Sequence, residues 1–275
     1  MQDRAVTRPL LPAVQPLPVA ATAELRAAMA RLRRGPGLVA RVSELMGGAL
    51  GGICRMVAGR LGAGALHLAP AVQGRMGKVA QAALVRAFEA AVVGMHPKAP
   101  GGARTGGRRA RLLVAASGAA GGAAGLAGFA PDAAVTTLAI MRRIARIAQE
   151  EGEDLAGESA RRACLEVFAL RSGVPGEAME VDAGYFPTRL LLQGGPLMRL
   201  LAEVAARYGV QLGQKLALQA VPVAGAVCGA AINAAFMAEY EGLARAHFTV
   251  RRLERAHGAA AVREAVAMWD KATIS

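Results

Sequence analysis

Glu254 and His257 stand three apart in "ERAH" and form an E-x-x-H pair, half of the carboxylate-bridged di-iron signature. Such a centre takes a second E-x-x-H and two more glutamates on facing helices, and the chain has no second copy. His257 precedes Gly258, which suits a cation at a helix C-terminus. His247 falls on a helical stripe with Phe236, Tyr240 and Leu243, the setting of a histidine packed into a core or its boundary. The phosphate motifs fail as well. "GRMGKV" (74–79) has Val72 where a P-loop needs its first glycine and Val79 where it needs Ser or Thr. "SGAAGGAAG" lacks the G-x-G-x-x-G spacing, and neither G-x-S-x-G, S-x-x-K nor H-E-x-x-H occurs. Cys54, Cys164 and Cys228 are odd in number and far apart, which fits reduced, buried thiols rather than a disulfide frame or zinc site. "DAGYFPTR" (182–189) reads as a buried aromatic turn. No catalytic, cofactor-binding or metal-ligating residue is assigned, and no cofactor is expected.

The elements that carry these residues are helical. Hydrophobic residues make up 54% of the 275, yet aromatics are only 4%. A core of Ala, Leu, Val and Gly packs to normal density only where backbones approach closely. Ala and Leu favour helix, and strand formers are sparse, so the expected fold class is all-α, a multi-helix domain of closely packed apolar helices. A Pro-rich tail (1–21), interrupted by Pro12, Pro16 and Pro18, is expected to be disordered. A single domain then spans 22–272. Thr22 is the expected N-cap of a helix to Arg34, and "HPKAPGGARTGGRR" (96–109) is the clearest loop. Asp132 is expected to cap "AAVTTLAIMRRIARIAQEEG". There Met141, Ile144 and Ile147/Ala148 share one face, Arg146 and Glu150 can pair, and Gly152 stops the helix. "GESARRACLEVFAL" supplies another helix, followed by irregular chain to about Gly195 and a last helical group with a short terminal helix.

The stretch 112–130 holds no charged side chain. Nineteen residues give about 28 Å of helix against roughly 30 Å of hydrocarbon. Only Leu112, Leu113, Val114, Leu126 and Phe129 favour insertion; the rest is Ala, Gly and Ser117. Arg108, Arg109 and Arg111 precede the stretch, and Arg142, Arg143 and Arg146 follow it. Positive charge at both ends puts both on the cytoplasmic side, as in a hairpin bent at Pro131–Asp132 rather than a crossing. Glycine spacing explains more. Gly118 and Gly122, Gly121 and Gly125, and Gly225 and Gly229 are four apart, as are Gly47/Gly51, Gly48/Gly52 and Gly209/Gly213. Each pair lies on one helix face and opens a groove for a neighbour. Interior glycine costs about 1 kcal/mol relative to alanine, so such density calls for contacts that offset it.

The net charge is +13, nearly all of it from arginine. That charge attracts polyanions, either nucleic acid or an anionic leaflet. Nucleic-acid binding needs basic residues interleaved with aromatics or a reading helix. Here the arginines flank apolar, Gly-rich helices, so no nucleic-acid partner is expected.

Taken in order, "SGAAGGAAGLAGF", "TTLAIMRRIARIAQEEGEDL", "ACLEVFAL", "GYFPTR" and "QAVPVAGAVCGAAINAAFMAEYEGLARAHFTVRRLER" resemble the EcsC family, named for the third product of a bacterial ABC-transporter operon. The resemblance covers roughly residues 20–260. Arg143 replaces the expected Ser, and Ala246 replaces the Gly that commonly precedes His-Phe. It implies a bacterial helical protein, cytoplasmic or associated with the inner membrane, and carries over no catalytic residue. Asn233, His247, Arg251, Arg252 and Glu254 are the polar positions of its strongest segment, expected as structural contacts first. Three functional readings stand open. The leading one is non-catalytic docking on an anionic membrane surface, or on a membrane protein such as a transporter. The others are a soluble carrier of a lipid, and an enzyme using His247 and Glu254.

Overall fold

The computed structural model describes residues 16–33, 106–124, 128–170, 185–193 and 225–274, with Arg86, Ala87, Ala90 and Val204 as single positions. The described residues form helices and connecting turns without strands, as the all-α expectation requires. The helices are α1 (Val19–Arg33), α2 (Gly106–Ala123), α3 (Phe129–Glu150), α4 (Glu158–Ala169), α5 (Tyr185–Gln193), α6 (Gly225–His257) and α7 (Ala259–Ile274). The glycine pairs 47/51, 48/52 and 209/213, and the apolar segments expected between 38 and 95, lie outside the described residues, as does Gly125.

Several helix starts differ from the expectation. Helix α1 begins at Val19, so the last three residues of the expected tail are helical. Thr22 is not its cap: the Thr22 N–H and hydroxyl both donate to the Pro18 carbonyl, at 2.9 and 3.0 Å. Proline lacks the N–H a helix interior needs but serves well just before or within a first turn. The same reason explains α5, where "GYFPTR" was expected as a turn: Pro187 falls in the first turn of a helix. Helix α2 takes in Gly106 to Arg109 from the expected loop, since arginine forms helix almost as well as alanine. Helix α2 ends at Ala123 and α3 begins at Phe129, so Pro131–Asp132, the expected bend, lies within the first turn of α3. Asp132 stands inside the first turn of α3 and turns inward.

At its other end α3 stops where expected. Gly152 adopts φ +81°, and its N–H bonds to Gln149 O while Glu153 N–H reaches back to Ala148 O. These two bonds close a Schellman cap, whose left-handed position suits glycine.

Helix α6, 33 residues and about 50 Å long, is the spine. Helix α2 runs antiparallel to it, as Gly118 meets Gly229, Val114 meets Asn233 and Arg111 meets Glu241. A Cβ on Gly229 would overlap the Gly118 carbonyl oxygen and lie 2.8 Å from its carbon. A Cβ on Gly118 would stand 2.7 Å from the Gly229 carbonyl carbon. Gly122, one turn further along α2, is buried at the same contact, but more loosely: its Cα would lie 3.3 Å from the added Gly229 Cβ. The expected Gly118 and Gly122 groove is therefore present but uneven, with Gly118 as its point of closest approach. Gly121 does not share that groove. It admits α3 instead, with Asp132 Cβ 2.7 Å from an added Cβ. Glycines 118 and 122 are a helical turn apart and face α6, whereas Gly121 is rotated about 100° from Gly122 and faces the other neighbour. Two helices thus touch along their backbones, the contact that the glycine spacing predicts.

Helix α3 packs parallel to α6, burying Ile140, Ile144 and Ile147 against Phe236, Tyr240 and Phe248. Phe168 of α4 closes this cluster, its ring 4.8 Å from that of Tyr240. A second cluster joins Leu25 and Met29 of α1, Tyr185 of α5, Val250 and Leu253 of α6, and Val262 and Val266 of α7. Each fully buried Leu or Ile contributes roughly 1.5–3 kcal/mol. Among the described residues, no helix is long and apolar enough to cross a membrane.

Candidate functional site

The polar residues of α6 take up positions at successive levels along the spine rather than in one cluster. At the glycine contact, where Gly118 and Gly122 face Gly229, Asn233 is fully buried. Its amide donates to Val114 O (2.9 Å) and Asp132 Oδ1 (2.8 Å). The same Asp132 oxygen accepts from Ser117 Oγ at 2.7 Å and from Thr136 Oγ1 at 3.3 Å. This tripod ties α2, α3 and α6 together where glycine brings them closest.

Two turns on, Glu241 receives Arg143 Nη2 at 2.6 Å and Arg111 Nη2 at 2.7 Å. Burial alone would raise its pKa, but the hydrogen bonds and charges of Arg143 and Arg111 outweigh burial and hold the carboxyl down at about 2. Arg143 is therefore not a membrane-surface arginine as expected: only 7% of its side chain is exposed. Its neighbours differ in facing. Arg142 and Arg146 are exposed, and Arg111 is 55% exposed although paired. Glu150 bonds Arg143 and Arg245, at 3.4 and 3.3 Å, rather than the expected Arg146. Arg108 and Arg109 are in the first turn of α2, and Gly225 opens α6; their side-chain surroundings lie outside the described residues.

The third level holds the densest chemistry. His247 is fully buried, and its Nδ1 meets the Tyr185 hydroxyl at 2.8 Å. With the phenol as donor to Nδ1, the proton of the neutral ring is on Nε2, the nitrogen that faces a carboxylate. Nε2 faces Glu166 Oε2 at 3.7 Å. Arg189 brings its Nε to 3.9 Å from the same oxygen and binds Glu254 through Nη1 at 2.7 Å. One turn on, Arg251 grips Glu153 with two bonds, at 2.7 and 3.0 Å, and reaches Ser159 at 3.2 Å. Arg252 bonds Glu151 at 2.8 Å and also Glu24. Burial raises Tyr185 and depresses His247, the latter aided by Arg189 and Arg251. Burial also pushes the Cys164 thiol up to about 12, so it stays protonated at neutral pH.

The five polar positions singled out in α6 all hold side-chain partners on other helices or turns. His247 and Glu254 meet different partners, Tyr185 and Arg189, and His247 lies beneath Glu166 rather than at the surface. Sequence reading passed over Glu166 and Glu241, and took Tyr185 and Arg189 only as parts of an aromatic turn. A signal was present: Glu166 in "CLEVF" and Glu241 in "AEYEGLA" interrupt apolar runs, as charged residues do when buried with partners.

The depressed His247 pKa makes a pH prediction. The unfolded chain takes up a proton near pH 6.5 and the folded chain does not, so stability falls as pH drops through 6.5. Urea unfolding at pH 7, 6 and 5 should lose up to about 1.4 kcal/mol per pH unit from this group. In His247→Gln that part of the slope should vanish; an unchanged slope would refute it.

The EcsC protein family model matches residues 101–253, more than half of the chain. That span runs from the start of α2 to the Arg251–Arg252 end of α6. It is narrower than the resemblance read over 20–260. No curated protein and no solved structure matches. With its family model matched over more than half of its length, the chain belongs to the EcsC protein family.

Proposed function

We propose that the protein docks peripherally on an anionic, cytoplasmic membrane face through the α2–α3 hairpin, without catalysis. One observation carries this reading: the exposed residues of both arms carry no charge between Leu112 and Val135, while Arg111, Arg142 and Arg146 stand exposed just behind them. Leu112 and Leu113 are 70% and 60% exposed, and Val135 is 40% exposed. Arg111 and Arg143 meet on Glu241, which puts Arg111 and the adjoining Arg142 at one level of the hairpin. From that level to the bend each arm is about 20 Å long, enough for one leaflet and too short for a bilayer. The only acid between them, Asp132, is buried and hydrogen-bonded.

Each arginine near an anionic surface contributes about 1 kcal/mol, screened by salt. Flotation with phosphatidylglycerol-containing liposomes should therefore recover the protein at low ionic strength and release it at high salt. The Arg142→Glu/Arg146→Glu double variant should bind at least about tenfold more weakly, and Leu112→Asp/Leu113→Asp should lose the salt-resistant remainder. Equal recovery on neutral phosphatidylcholine, or none at low salt, would overturn the reading.

A further inference from the structure

An open cavity of about 410 Å³ lies at the far end of the spine, lined by Glu158, Ser159, Arg162, Glu166, Arg189 and Arg251. Every lining side chain is polar or charged. The volume suits on the order of a dozen non-hydrogen atoms. Glu166, 1% exposed, forms the floor, while Glu158 and Ser159 belong to the first turn of α4 at the mouth. Behind the floor, His247 is fully buried, and its Nε2 has no hydrogen-bond partner among the described residues. Arg189 brings its Nε to 3.9 Å from the same Glu166 oxygen, and that Nε also makes no hydrogen bond among the described residues.

We propose that this cavity is a binding site for a small soluble zwitterion, with a phosphate or carboxylate at one end and an ammonium at the other. The arrangement of charge selects that class. Three guanidiniums and the amide end of α4 repel a bare cation, and they attract an anionic group at the mouth, where Arg162 and Ser159 meet it. Two carboxylates in the same walls oppose a polyanion. Arg251 is already matched by Glu153, and Arg189 by Glu254, so the walls are near balance and a ligand of balanced charge fits them best. The ammonium end meets Glu166. Tyr185 and His247 act on that carboxylate as positioning residues, because the phenol sets the ring tautomer that turns Nε2–H towards it. The ligand comes from solution: Arg251 lies ten residues beyond Glu241 on α6, about 15 Å further along the helix than the level of Arg111. The assignment is independent of membrane docking.

Calorimetry on the full chain with O-phosphoethanolamine and with L-serine tests it, with inorganic phosphate and ethanolamine as the separated halves. At least one zwitterion should bind, about tenfold or more tighter than either of its halves. Arg162→Gln should weaken that binding at least about tenfold, measured at a temperature where circular dichroism shows both proteins folded. Glu166→Gln should reduce the advantage over inorganic phosphate; if that buried variant does not fold, Ser159→Ala together with Arg162→Gln carries the test. Absence of saturable binding to both zwitterions, binding equal to that of the halves, or affinity unchanged by Arg162→Gln would overturn the assignment. Binding to phosphatidylethanolamine vesicles without binding to free O-phosphoethanolamine would also overturn it, since the site would then serve a lipid headgroup.

Discussion

Glu241→Ala should destabilise the protein by about 3–5 kcal/mol, the range for breaking a buried ion pair by removing one partner. Glu241 is the acceptor on which α2, α3 and α6 converge. Without it Arg143, 7% exposed, retains among the described residues only Glu150, at 3.4 Å. Arg111 contributes little to the loss, because more than half of its side chain is in water and regains solvent contact. Replacing both partners, as Glu241→Leu with Arg143→Met, should restore most of the stability, since apolar residues of similar volume leave no stranded charge. The pH dependence has a definite sign. The carboxyl titrates at about 2 when folded and at 4.5 in the free chain. Its stabilisation is therefore complete above pH 4.5 and is lost as pH falls towards 2, a change of at most about 3 kcal/mol. Urea titrations of wild type and Glu241→Ala at pH 7 and pH 3 should show the gap between them shrinking at acid pH. A gap below about 1 kcal/mol at pH 7 would show that this junction does not hold the helices together.

The same substitution at two glycines of α6 should change stability in opposite directions. Gly229→Ala places a methyl group against the Gly118 carbonyl and close to the Gly122 Cα, and backbone cannot move aside as a side-chain tip can. The helices must separate, which also strains the Asn233 bond to Val114 O and the Asn233–Asp132 contact. Overpacking of this kind costs typically 1–3 kcal/mol, and with backbone opposing backbone we expect about 3 kcal/mol net of the gain in helix propensity. At Gly242, the nearest atom to an added Cβ is the Nη1 of Arg31 at 3.9 Å, an ordinary contact. Gly242→Ala should therefore stabilise α6 by up to about 1 kcal/mol. Thermal unfolding of the two variants side by side measures both. A neutral Gly229→Ala would mean that α2 and α6 do not meet on their backbones.

Much of this was legible in the chain itself, and the reasons are local. Helix α4 and the body of α3 follow from residues three and four apart, and Gly152 ends α3 because its own φ allows the cap. The glycine spacing announced a close contact, and the ordered segments of the EcsC resemblance anticipated the family. Spacing did not say which neighbour each glycine meets: Gly118 and Gly122 turn to α6 and Gly121 to α3. Proline misled the reading wherever it sat in a first turn, since a residue's type does not say which side of a helix start it occupies. Other matters were decided only by the assembled helices. Arg142 and Arg143 are adjacent and chemically identical, yet one is exposed and the other buried, because Glu241, 98 residues from Arg143, stands on one side only. Asp132 was spare enough to serve as a cap until Ser117 and Asn233 claimed it, and Tyr185 joined His247 across 62 residues. Sequence thus determined the bodies of α3 and α4 and the presence of close glycine contacts, because those depend on neighbours along the chain. Which charges are buried, and with whom, depends on the cost of leaving a charge unpaired in the interior, and only the packed structure sets that cost.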